Sequence, residues 1–212
     1  MHLRRNGCQR QNISARDRGQ AEWVLGLFFL LVLAVLINTL LTLASWRSTA
    51  GYLEDALAMS NLASALIDLE EYGKSHRIVI ADAPAAYDIY VDAVRDNLGL
   101  DDNWECTNRT LIAGPVEIVD YIVYNVDQKR VNAIRIGRDG QVSERWSGAR
   151  GAVKAPNGVT VECTGVYSEI CFDVEGFAGI TVQAHKGKLV DIVSENKEES
   201  REESGDTEGG ET

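Results

Sequence analysis

The chain has 212 residues, with 32 acidic against 21 basic side chains and a formal net charge of −11. An acidic surface of that size argues against nucleic-acid binding, which needs concentrated positive charge. The length leaves room for one modest domain beside any membrane segment.

Residues 1–21 are polar and basic and lack hydrophobic periodicity. Up to residue 22, Arg4, Arg5, Arg10, Arg16 and Arg18 outnumber Asp17 and Glu22 by three, which leaves −14 for the rest. A basic leader before an acidic remainder follows the positive-inside pattern, so the expected topology has the N-terminus in the cytoplasm and residues 47–212 outside the plasma membrane. The Asn12-Ile13-Ser14 sequon then falls on the wrong side for glycosylation.

Trp23 to Trp46 is a run of 24 residues without a charge. As a helix it spans roughly 36 Å at ~1.5 Å per residue, more than a hydrocarbon core of about 30 Å. It is too long for the apolar core of a signal peptide, and Ala44-Ser45-Trp46 is a poor cleavage site. It also lacks the polar stripe of a soluble core helix. The expectation is a transmembrane helix over residues 22–46, with the lipid bilayer as its first partner.

Helical spacing continues beyond it. Leu53, Leu57, Leu62, Leu66 and Leu69, with Ala56, Ala63 and Ala65, predict one helix from about Glu22 to Tyr72, broken at Gly73. Asp82-Ala83-Pro84 is an N-terminal helix signal, and Tyr87, Tyr90, Val91, Val94 and Leu98 follow at helical spacing before Gly99. Asp88, Asp92 and Asp96 share one face of that helix; evenly spaced helical carboxylates do not converge on a cation, so a solvated face is expected. Residues 47–103 therefore read as a helical region.

From Trp104 the period changes to two. Strands are expected over 104–112, 116–126, 130–137, 141–146, 158–164, 168–175, 180–185 and 189–193. Arg138-Asp139-Gly140 and Lys186-Gly187-Lys188 read as tight turns, so residues 104–194 form an antiparallel meander. Residues 195–212 carry eight acidic side chains against Lys197 and Arg201 and no aromatic, the composition of a disordered acidic tail. The fold class is α+β.

Cys8 lies on the reducing side of this topology, and Cys106, Cys163 and Cys171 lie outside, where disulfides persist. A strand-turn-strand around Cys163 and Cys171 makes them the expected pair. A metal site would need His76 or His185 beside the three cysteines, and no ligand spacing supports one. No nucleophile-base motif, phosphate loop or metalloprotease motif occurs, so no catalytic residue, cofactor or small-molecule substrate is assigned.

The segment Arg16-Asp17-Arg18-Gly19-Gln20-Ala21-Glu22, running straight into the apolar helix, resembles the start of TadE-like proteins. These are pilin-like minor subunits or assembly components of tight-adherence pilus systems. The resemblance covers about 30 residues. It implies a pilin-like fold, other pilin-like or assembly subunits as partners, and cleavage by a prepilin peptidase between Gly19 and Gln20. Glu22 stands three residues after Gly19, where the family commonly has five. With cleavage, Glu22 can pair with a neighbouring subunit's new amino terminus; without it, Glu22 is an interfacial residue favoured by the helix dipole. The second reading is a membrane-anchored module that binds a ligand or protein along a sheet edge.

Overall fold

The computed structural model describes residues 14–107, 112–175 and 181–192. The basic leader before Ser14 and the acidic tail lie outside them. The chain divides into two units, Met1–Arg47 and Ser48–Thr212, and helix α1 (Ser14–Ser64) contributes to both.

In the first unit α1 starts eight residues before the expected Glu22. In the second it stops at Ser64, short of Gly73, because Asp68 begins a new helix. The Asp68 carboxylate accepts from the backbone N–H groups of Glu70 and Glu71 and caps α2 (Leu69–Ser75). Its own N–H is taken by Val79 O at 2.8 Å. Helix α2 runs through Gly73 and ends at His76, which adopts the left-handed conformation. Helix α3 (Ala83–Leu98) forms as its signals indicate: Asp82 caps it by accepting from Ala85 N, Pro84 sits in the first turn and Gly99 closes it at φ 61°. Asp88, Asp92 and Asp96 are all exposed, the solvated face expected of them.

Five antiparallel strands follow: β1 (Glu117–Val126), β2 (Arg130–Ile136), β3 (Val142–Ala149), β4 (Gly165–Glu175) and β5 (Thr181–Asp191). Their spatial order is β3-β2-β1-β4-β5, so the meander covers three strands only. The chain then crosses back, and β4 pairs with the other edge of β1. Four expected strands change. Residues 104–107 turn, with Trp104 at φ 63° and the Asp101 carboxylate accepting from Asn103 N and Glu105 N; residues 108–111 of that expectation lie outside the described set. Residues 158–164 contribute a single bridge, Lys154 to Thr160. Lys186-Gly187-Lys188 is no turn but the middle of β5. The Arg138-Asp139-Gly140 turn does close β2 onto β3, with Gly140 at φ 73°.

Each face of the sheet carries a core, and part of the second face is left open. One carries the main core, where Leu53, Ala56 and Leu57 of α1 and Tyr87, Tyr90 and Val94 of α3 pack against Tyr121, Val123, Val166 and Ile170. The other carries a smaller core in which Ile122, Tyr124, Val131 and Tyr167 lie under Ala155 and Val161 of the β3–β4 loop. The leucine stripe of α1 is only half right. Its buried face changes after Leu57 to Ser60, Asn61 and Ser64, and Leu62, Leu66 and Leu69 are exposed. Polar groups win these positions because the sheet and α3 offer them partners. Asn61 Nδ2 donates to Lys188 O at 2.8 Å, Asn97 Nδ2 to Ser60 Oγ at 2.9 Å and Tyr121 Oη to Ser64 Oγ at 2.9 Å.

Candidate functional site

Two places hold unusual side chains: the apolar span in the first unit and the open part of the sheet in the second.

Among the described residues, one helix is long and apolar enough to cross a membrane, and none of its apolar window is buried. Trp23 is 83% exposed and Phe29 62%, so these side chains have no protein around them. An exposed apolar surface of that extent marks a place for lipid or a partner surface to cover. Two hydroxyls in the run bond back to their own helix: Thr39 Oγ1 donates to Val35 O and Thr42 Oγ1 to Asn38 O, each at 2.9 Å. Glu22 is exposed just before the run. Gly19 and Gln20 are inside the helix, so cutting between them requires that turn to open.

On the sheet face away from α1, alternation brings Asp120, Arg135, Glu144, Trp146, Glu169 and His185 together. A bulge in β1 between Ile118 and Asp120 makes this work. Ile118 faces the main core, and strict alternation would send Asp120 after it; the extra residue turns Asp120 to the other side. Arg135 Nε then lies 3.1 Å from Asp120 Oδ1, and its Nη1 donates to Glu144 Oε2 at 3.0 Å. The guanidinium also sits 5.4 Å above the Trp146 ring. Burial pushes the Asp120 carboxyl up, with Arg135 opposing the shift. Tyr124 is buried beside this group; burial first, and then the Asp120 charge, push its hydroxyl up to about 12.

A second chain of contacts runs through β4 and β5. Tyr167 Oη donates to Glu169 Oε2 at 2.9 Å, and Glu169 Oε1 lies 3.1 Å from His185 Nδ1. Gly187 makes room for it, since a Cβ there would stand 2.2 Å from Tyr167 Oη. This is why a glycine interrupts a strand here, and why it imitates a turn in the sequence. On the opposite face Lys186 and Lys188 grip Glu54 of α1, at 2.9 Å and 2.6 Å. Their hydrogen bonds and charges hold the Glu54 carboxyl down at about 2.

The expected pairing of Cys163 with Cys171 finds no support in the fold. Both are free thiols. Cys171 lies within β4, and Cys163 just before the start of the same strand. The stretch of β4 from Gly165 to Cys171 alone spans roughly 20 Å at ~3.3 Å per residue, against the ~7 Å between Cα atoms that a disulfide bridges. Cys171 stands opposite His185 in the β4–β5 register. Its thiol is pushed up by burial and by the carboxylates of Glu117, Asp173 and Glu169, so it stays protonated at neutral pH. Cys106 belongs to the main core instead, donating to Leu98 O at 3.4 Å. Among the described residues no three His, Cys, Asp or Glu side chains converge as metal ligands.

The period of two over residues 168–175 marks a strand, but the Glu169–His185 and Arg135–Asp120 contacts join distant segments and leave no local signal. Comparison with protein families, with curated proteins and with solved structures finds no match to this chain.

Proposed function

We propose that the chain is a single-pass membrane protein that works, without catalysis of its own, as a TadE-like minor pilin or assembly component of a prokaryotic pilus or related secretion system. In this reading the N-terminus is cytoplasmic and the sheet-bearing unit lies outside the plasma membrane. The observation that carries it is α1 itself. It joins an apolar stretch exposed on every side to turns that supply Leu53, Ala56 and Leu57 to the core of a helix-on-antiparallel-sheet unit. A helix so built has two surfaces to bury, one against its own sheet and one against lipid or other apolar helices. Met59, Leu62 and Leu66, all more than half exposed, add to the surface still to be covered.

Cleavage after Gly19 would place a charged amine on Gln20 and give Glu22 of an adjacent subunit a counter-ion, which offsets the cost of holding a carboxylate in an apolar assembly. The mass of the membrane-extracted protein tests this: a chain starting at Gln20 supports the pilin reading, and an intact Met1 assigns the helix to a tether. The open sheet face, with Arg135 on Trp146 and the Glu169–His185 pair, favours a second reading in that event, a membrane-anchored module binding a ligand on its outer domain.

A further inference from the structure

In the sheet-bearing unit Lys74, Arg77, Arg95, Arg135, Arg138, Lys186 and Lys188 each lie against a carboxylate, whereas Arg145 and Lys154 stand singly on the surface without an ion pair to a described residue. Lys129, Arg130 and Arg150 are exposed and make no ion pair with a described residue. They meet at one end of the sheet. Arg130 opens β2 opposite Ala149, the last residue of β3, and Arg150 N donates to Lys129 O at 3.0 Å. Beside them is an open cleft of about 500 Å³ lined by Gln128, Lys129, Arg150, Gly151 and Glu162. In a chain of net charge −11 such a cluster calls for an anionic occupant.

The same end of the sheet is where the chain leaves it. Antiparallel pairing sets Asp191, the end of β5, opposite Gly165, and Ile192 N donates to Thr164 O at 2.7 Å, two residues from the cleft's Glu162. Crossing from β5 to β2 and β3 takes three to four strand spacings, roughly 20 Å. Residues 193–212 include a stretch from Glu195 onward with a net charge of −6, and their number gives a reach of ~60 Å. Reach, exit point and charge therefore agree.

We propose that the acidic C-terminal segment, residues 195–212, docks in cis on the cleft lined by Lys129 and Arg150 of its own chain, with Arg130 beside it. Tethering holds its local concentration in the millimolar range, which lets individually weak surface ion pairs act together. Glu162 is the one carboxylate lining the cleft, and it opposes docking. The proposal is independent of the fate of the Gly19–Gln20 bond.

Zero-length carbodiimide cross-linking of the full chain in nanodiscs, on a mixture of ¹⁴N- and ¹⁵N-labelled protein, tests it. Lys129 should link to carboxylates of residues 195–212 at least fivefold more than Lys74 or Lys154 does, in single-isotope pairs, and 1 M NaCl should abolish the preference. Arg150→Glu should lower the yield severalfold, and Glu162→Gln should raise it. Links spread evenly over the lysines would overturn the proposal. So would links confined to mixed-isotope pairs, which place the segment on a second copy, or links lost when anionic lipid replaces zwitterionic lipid, which give the cleft to a headgroup.

Discussion

Gly187 shows how one residue misleads and then explains itself. Between two lysines it imitates a hairpin turn, yet it is retained inside β5 because the Tyr167 ring occupies the space a side chain would need. Gly187→Ala is expected to destabilise the unit by about 1–3 kcal/mol, as overpacking does. Denaturant unfolding should find that cost gone when Tyr167→Ala is already present. Glu54 offers a second test at this scale. Its carboxyl is depressed from an ordinary 4.5 to about 2 by Lys188 and Lys186. A depressed acid stabilises the fold above its unfolded pKa, and that contribution fades as pH falls from 4.5 towards 2. The difference in unfolding midpoint between the natural chain and Glu54→Gln should be full at pH 6 and absent near pH 2. The Glu169–His185 and Arg135–Asp120 contacts were not legible beforehand, because each depends on strand register.

At the scale of elements, α1 shows how far hydrophobic periodicity carries. The pattern identified a helix and its leucines but placed Leu62, Leu66 and Leu69 inside. The buried face is completed by Ser60, Asn61 and Ser64, whose side chains reach groups on the sheet and on α3. Two substitutions separate the contributions. Leu57 is fully buried, so Leu57→Ala should cost about 2–5 kcal/mol through transfer and cavity terms. Asn61→Ala, which leaves Lys188 O without that donor, should cost about 1–3 kcal/mol. Thermal unfolding of both variants in detergent checks the order. Leu62→Ser, at an exposed position, should leave stability within about 0.5 kcal/mol while reducing any self-association.

At the scale of the whole molecule, the apolar span dictates what surrounds the chain. Membrane retention after an alkaline carbonate wash should survive a single Leu33→Arg change poorly and Leu33→Arg with Leu36→Arg hardly at all, since each arginine near a span centre costs about 2.5–3.5 kcal/mol on insertion. Extraction by the wash at natural-sequence levels would contradict a membrane span. The acidic balance places its own limit, since Lys129, Arg130 and Arg150 are exposed at one end of the sheet without an ion pair to a described residue.

The apolar span, the caps of α3, the Arg138-Asp139-Gly140 turn and the change from helical to alternating period were settled by the sequence by itself. Each rests on interactions within a few residues of chain, such as a carboxylate reaching an N–H three positions ahead or a glycine accepting a left-handed turn. The tertiary structure alone decided the crossing that sets β4 beside β1, the bulge that turns Asp120 outward, and the single strand that keeps Cys163 from Cys171. These depend on which distant segment lies alongside. A residue's two neighbouring strands then determine its face, its partner and its ionisation, and no local pattern contains that information.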